Sequence, residues 1–377
     1  MTTSPWTDAW ERARPIATDW SSPPPQAPLA SLRILDLSRL LPGPMACRYL
    51  ADLGAQVLKI EPPMAGGTPG DDAAGMGPRH GETSAFYQVV NAGKRRLALD
   101  LKRESDLASL RALVAEAHAV VEGFRPGVME RLGLGYAALA AINPRIVLAS
   151  ISGYGQDGPL RLAAGHDINY LSLAGVIDQT RAADGTPAIC HLQIADLLGG
   201  AQSAAIGTLA GIVGGLTRGR GGWVDVSMTD AVRQHLVFAG IDALLADPAP
   251  APGASLLDGG VACYQLYRCA DGAWLAVGAL ELKFWQALCD ALGQAAWRSR
   301  HWSLGEAPGS AAARQLIGEV AAHFAAAPRD AWLARLAAAD CCVTPVLDAA
   351  TALFGAGGAD AGEGLRRLAG PALRWRS

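Results

Sequence analysis

The apolar positions change period several times along the chain, and each change marks an element. Residues 32–37 (LRILDL) form a short apolar run, which predicts a buried strand. Residues 38–44 (SRLLPGP) read as a turn, 45–53 have helical spacing, and 55–60 (AQVLKI) predict a second strand closed by Glu61-Pro62-Pro63. Strand, helix and strand within about 30 residues make a right-handed βαβ unit, hence a parallel sheet with helices on its faces. A Gly-rich stretch at 65–82, expected to be mobile, interrupts the pattern. The alternation then resumes with strand 96–101, helix 105–117, strand 119–122, helical pieces 128–132 and 136–142, and strand 146–151. The expected fold class is α/β, with a large, open, Rossmann-like parallel-sheet domain.

Beyond it, 194–216 and 222–247 read as two long helices rich in Ala and Gly, suited to close packing or a subunit contact. From residue 259 the texture changes. Strands at 262–268 and 274–277 flank a turn at 270–272, helices follow at 282–292 and 311–326, and 343–347 leads back out. The expected plan is a flexible extension at 1–30 (with SSPPP at Ser21 to Pro25), a large α/β domain at 31–220, a linker helix at 221–258, a smaller α+β domain at 259–341 and a return segment at 342–377.

Composition narrows the function classes. Half of the 377 residues are apolar and 18% are charged, enough apolar matter for a sizeable core. A net charge of −3 argues against a nucleic-acid partner. The seven cysteines (Cys47, Cys190, Cys263, Cys269, Cys289, Cys341 and Cys342) lack CxxC spacing, which points to free, buried thiols in a reducing cytoplasm and to no metal site. The N-terminal residues lack a basic region followed by an apolar stretch, and 204–216 is shorter than the about 20 residues of a membrane span. A soluble, cytoplasmic protein without a membrane partner is expected.

Three groups of residues invite chemistry. Gly153-Tyr154-Gly155-Gln156-Asp157-Gly158 matches GxGxxG after a strand, yet Pro159 and a loop follow where a dinucleotide fingerprint needs a helix. Gly165-His166-Asp167-Ile168-Asn169-Tyr170 is a polar cluster between apolar stretches, and Asp196 lies thirty residues on, where the long apolar helix begins. A carboxylate in such a setting is costly without support. Spacing alone favours an N-cap aspartate and a core histidine over a catalytic pair. Basic residues gather at 91–96 (NAGKRR), at Lys102-Arg103 and at Arg125 to Arg131. The last group follows a strand's carboxyl end, where open α/β sheets bind ligands and arginine suits phosphate. Ordinary surface charge explains such groups equally well.

Ten segments occur in order: LRILDLSRLLPGP, ADLGAQVLKIE, NAGKRRLALDLK, VEGFRPGVMERLGLGYAAL, INPRIVLASISGYGQDGP, AGHDINYLSLAGV, QIADLLGG, GGWVDVSMTDA, YRCADGAWLAVGALE and CCVTPVL. Together they resemble the family III CoA-transferases (CaiB/BaiF type), and within them the α-methylacyl-CoA racemases. The resemblance spans roughly residues 32–347. It implies a large CoA-binding domain and a small domain joined by long helical linkers in an interlocked homodimer, with an acyl-CoA as substrate. By resemblance, Asp196 is the family's key aspartate and His166 its acid–base partner in the racemases. Glu281 matches a racemase glutamate that supports the acid–base residues. The implied CoA contacts are Leu99, Asp100, Leu101, Lys102, Gly123, Phe124, Arg125, Arg131, Gly165, Asp167, Ile168, Asn169 and Tyr170. Pro62 stands where a basic residue is common, and the return segment is shorter than usual in the family.

The resemblance implies inversion at the α-carbon of a 2-methylacyl-CoA by two-base proton transfer, with no metal or redox cofactor and coenzyme A only as part of the substrate. His166 and Asp196 then hold complementary protonation states. Apolar neighbours (Ile194, Ala195, Leu197, Leu198) are expected to raise the Asp196 pKa, and backbone N–H groups at the start of its helix are expected to stabilise the enolate oxygen. Two alternatives stay open: a CoA transferase with Asp196 as covalent nucleophile, and a non-catalytic binder of CoA esters.

Overall fold

The computed structural model describes residues 3–20, 26–64, 70–182 and 184–370. The chain divides into two compact units. The first comprises residues 1–176, 190–235 and 353–377, and the second residues 177–189 and 236–352.

The first unit is built on a seven-stranded sheet. Six strands run parallel, in the spatial order Lys94–Ala98, Gln56–Glu61, Arg33–Asp36, Ala119–Glu122, Val147–Ser152, Gly222–Ser227. Strand order therefore reverses between Arg33–Asp36 and Ala119–Glu122, which opens a crevice at their carboxyl ends. The central strands are apolar because both faces are covered: Ile34, Leu35, Val57, Leu58, Val120 and Val147 are all 1% exposed or less. One face is packed with Leu107, Leu110 and Leu113 of helix Glu104–Val114 and Leu139 of Tyr136–Ile142.

The N-terminal extension is docked rather than flexible over residues 3–20. Helix Pro5–Arg12 buries Trp6 to 1% exposure, with its indole N–H on Gln56 Oε1 at 2.8 Å. Strand Arg14–Ile16 then pairs antiparallel with Lys94–Ala98, covering an edge that would otherwise expose unpaired backbone groups. Pro- and Ser-rich composition hid two buried tryptophans, Trp6 and Trp20. The SSPPP run lies outside the described residues. Trp6→Ala is expected to cost about 3–5 kcal/mol, read as a lower urea midpoint of unfolding. An unchanged midpoint would show that the helix is dispensable.

Three further expectations are corrected. Residues 222–227 form the sixth parallel strand, its indole N–H (Trp223) on Ser150 Oγ at 2.9 Å, so the long second helix is instead two short ones, Met228–Arg233 and Val237–Leu245. The apolar 204–216 run belongs to a continuous helix, Ala195–Arg218, long and apolar enough to cross a membrane by length and composition. It lies against the sheet, with Gly211 within close reach of Val147, while Ile206, Val213 and Leu216 are exposed. In the Gly-rich stretch, of which residues 65–69 are outside the description, Ala73 and Ala74 are fully buried against Ile16 and Tyr87. The expected C-terminal return is placed with the first unit over its last part: helix Ala361–Ala369 buries Ala369 beside Trp20 and Ala92, and the Arg48 guanidinium donates to the Gly370 carbonyl at 3.0 Å.

The second unit carries a three-stranded antiparallel sheet, Tyr264–Arg268, Trp274–Gly278 and Val343–Pro345. Residues 343–345 thus complete this sheet, where an exit from the domain was expected. Trp285, Leu288, Cys289, Val320, Phe324 and Trp332 of its helices form the core. All seven cysteines are free, five buried and two (Cys190 and Cys342) exposed.

Candidate active site

The carboxyl ends of three parallel strands feed one cavity of about 400 Å³ in the first unit, at the strand-order reversal. Arg39, Leu40, Pro42 and Gly43 follow the strand Arg33–Asp36. Gly123, Phe124, Arg125 and Pro126 follow Ala119–Glu122. Gly153, Tyr154, Arg161 and Gly165 follow Val147–Ser152, and His166, Tyr170, Asp196 and Met228 close the wall. His166 and Asp196, thirty residues apart, therefore open into the same space.

The GHDINY segment folds into a helix start. His166 is the N-cap of helix Asp167–Ala174, and its backbone N–H donates to Asn169 Oδ1 at 3.0 Å. His166 is exposed and lines the cavity. Tyr170 turns inward. Its hydroxyl donates to the Gly165 carbonyl, and its ring meets Tyr154 edge-on at 5.2 Å. A Cβ at Gly153 would stand 2.3 Å from that ring, and one at Gly165 2.7 Å. The first glycine of the GxGxxG match thus makes room for a tyrosine.

Asp196 sits in the first turn of Ala195–Gln202, a π-helical stretch that runs into the α-helix Ser203–Arg218. Such stretches are rare and concentrate at functional sites. The glycines of IADLLGG let it pack closely: a Cβ at Gly199 would lie 2.7 Å from the Met228 carbonyl, and one at Gly200 2.7 Å from Pro42 Cβ. Asp196 is half-buried, and desolvation, with the Asp167 carboxylate as a second cause, raises its pKa from 3.8 to about 7.

The expected enolate-binding role of this helix start is corrected. The Asp196 N–H donates to Asp167 Oδ1 at 3.0 Å, the Ala195 N–H bonds to the same carboxylate, and the Leu197 N–H goes to the Gln193 carbonyl at 2.9 Å. Those donors are spent. Asp167 is the group that caps this helix, and it joins the His166 segment to the Asp196 helix. The N-cap role that spacing suggested for Asp196 belongs to Asp167.

Glu122 was not singled out in the sequence. It ends the central strand at 3% exposure, burial pushes its carboxyl to about 7, and its Oε2 accepts the Phe124 N–H at 2.7 Å. That bond fixes the Gly123–Phe124–Arg125 turn. Arg39 and Arg161 were also missed, although Arg39 stands in the first strand-to-helix turn, the position where the crevice rule directs attention. Arg39, Arg125 and Arg161 are exposed guanidinium groups on one cavity wall.

The remaining predicted residues are placed elsewhere. Leu99 is buried in the core at 8% exposure, and Asp100 accepts the Lys102 N–H in the turn after Lys94–Ala98, away from the residues that line the cavity. Leu101 packs against the core. Ile168 is exposed, and Arg131 ends the short helix Val128–Arg131 beside Gly127. Glu281 belongs to the second unit, exposed, as the N-cap residue of helix Leu282–Leu292.

Comparison with known proteins agrees with this architecture. The sequence model for CoA-transferase family III matches residues 29–372. The chain is 33% identical to alpha-methylacyl-CoA racemase of Homo sapiens over 322 residues, covering 85% of this chain and 78% of that protein. It is 38% identical to acetyl-CoA:oxalate CoA-transferase of Acetobacter aceti over 223 residues, 59% of this chain and 56% of that one. Among solved structures, a CaiB/BaiF family protein from Brucella suis aligns with a TM-score of 0.71 at 27% identity, covering 85% and 84% of the two chains.

Proposed function

Because the chain belongs to CoA-transferase family III, whose members use acyl-CoA substrates, we propose that it is an acyl-CoA racemase or epimerase acting on a 2-methylacyl-CoA. This reading rests on an imidazole, His166, and a carboxyl group raised to about 7, Asp196, lining one cavity. Stereoinversion needs a base on one face of the α-carbon and an acid on the other. A carboxyl that titrates near neutrality is available as either.

In one direction neutral His166 takes the α-proton, the electron pair passes into the thioester carbonyl, and protonated Asp196 returns a proton to the opposite face. The reverse direction exchanges the roles. Both directions start from a pair that shares one proton, so the kcat/KM profiles of the two enantiomers are expected to coincide as one bell with a limb near pH 7. Profiles that differ between enantiomers, or stay flat from about pH 6 to 8, would contradict the shared-proton scheme.

Arg39, Arg125 and Arg161 are suited to the phosphates of the CoA moiety through their forked donors. We further propose a homodimer, supported by exposed Val237, Phe238, Ile241, Leu244 and Leu245 on helix Val237–Leu245, with Glu281 acting as a supporting residue. Light scattering that returns a monomer at assay concentrations would exclude it.

The 38% identity to a CoA-transferase supports a second reading, in which Asp196 attacks the thioester carbonyl, expels CoA as thiolate and forms a mixed anhydride. Trapping an Asp196 adduct with hydroxylamine after acyl-CoA addition would favour it.

A further inference from the structure

Behind the cavity lies a second charged cluster that the proton transfers do not use. Asp36, Lys59 and Lys94 are 0% exposed, and Glu61 and Asp71 1%. Lys94 Nζ meets Asp36 Oδ2 at 2.7 Å, Lys59 Nζ meets Asp71 Oδ2 at 3.0 Å and Glu61 Oε1 at 3.6 Å, and Arg96 Nε meets Glu61 Oε2 at 2.8 Å. Three cations face three carboxylates, so the charge closes within the cluster. Burial alone would raise the Asp36 carboxyl, but Lys94 and Lys59 outweigh it and bring it to about 2, so it stays ionised. Buried ion pairs add little to stability relative to apolar packing of the same volume, so their retention calls for another use.

The cluster's bonds to backbone converge on one segment. Asp36 Oδ1 accepts the Ser38 N–H at 3.0 Å, and Lys59 Nζ donates to the Ser38 carbonyl at 2.9 Å. Asp71 Oδ1 accepts the Leu40 N–H at 3.0 Å, and Lys94 Nζ donates to the Pro44 carbonyl at 2.8 Å. The segment needs holding. Leu40 has φ +63°, a region that L side chains rarely adopt, and a Cβ at Gly43 would lie 2.1 Å from Ser38 Cβ. The same segment supplies Arg39, Leu40, Pro42 and Gly43 to the cavity wall, and Pro42 abuts Gly200 on the helix that carries Asp196.

We propose that Lys59 and Asp71 are positioning residues: their buried pair holds residues 38–44 in the strained turn that sets the cavity wall against the Asp196 helix. This rests on the reading of the cavity as the site of CoA-thioester chemistry. It predicts an effect on turnover that exceeds any effect on folding.

The test is the double variant Lys59→Met/Asp71→Leu, which removes both charges and the acceptor for the Leu40 N–H. Amide hydrogen exchange of a peptide spanning residues 38–44 is expected to quicken about a hundredfold while that of strand Val147–Ser152 is unchanged. The kcat on an acyl-CoA falls about a hundredfold with KM within about threefold of wild type. Adding Leu40→Gly, which relieves the positive φ, recovers about tenfold in kcat. Unchanged protection of residues 38–44, or unchanged kcat once protection is lost, overturns the proposal. If the double variant does not fold, Asp71→Ala, which removes the acceptor for the Leu40 N–H, is judged by the same two criteria. A wild-type enzyme inert toward acyl-CoA would sink the functional reading alone, because the exchange measurement still decides what holds the turn.

Discussion

His166→Ala is expected to lower α-proton exchange of a 2-methylacyl-CoA by about 10³-fold while CoA-ester affinity changes little. His166 is exposed at the N-cap of Asp167–Ala174, outside the core, so its removal is expected to leave the fold intact. The backbone bond from His166 N–H to Asn169 Oδ1 survives in the alanine variant. A CoA transferase that works through Asp196 alone would keep most of its activity in this variant. Circular dichroism and a CoA-ester binding titration separate loss of chemistry from loss of structure.

Asp196→Asn is expected to abolish exchange to a similar degree and, in addition, to make the protein more stable at pH 8. The sign follows from the direction of the shift. Folding raises this carboxyl from 3.8 to about 7, so between those values the folded state holds a proton that the unfolded chain releases. The wild-type carboxyl therefore costs stability increasingly from about pH 4 upward, in full above about pH 7. The amide carries no such cost. With a discount for the partial exposure of Asp196, the gain at pH 8 is about 1 kcal/mol, or roughly 1–2 °C in Tm, and it vanishes near pH 4. An equal effect at both pH values would show that the ionisation of Asp196 is not what the cavity strains against.

The strand-and-helix rhythm of the first unit was legible because its parallel strands are buried on both faces and therefore read as unbroken apolar runs. Ala119–Glu122 and Val147–Ser152 are of this kind. Gly222–Ser227 was not, since it lies at the sheet's edge, where Trp223 and Asp225 alternate with half-buried positions and the flanking residues suit a helix. The docked N-terminal helix was hidden for a different reason: its binding energy lies in two or three large side chains, among them Trp6, and not in any periodic pattern. At the site, His166 and Asp196 were found by resemblance, because nothing in a spacing of thirty residues says that both reach one cavity. Asp167 as the cap of the Asp196 helix, and the Lys59–Asp71 grip on Leu40, depend on tertiary contacts between separate segments. Sequence periodicity carries no trace of such contacts. Arg39 was the exception, placed by strand order in a turn that could have been read.

The most direct test of the acid–base pair starts from a single enantiomer of a 2-methylacyl-CoA in heavy water, with wild-type protein and no added carboxylic acid. The expected result is α-deuterium in the opposite enantiomer, with optical activity lost on the same time course. Retention of both the α-proton and the optical activity, with CoA passing to a carboxylic acid once one is supplied, would contradict it.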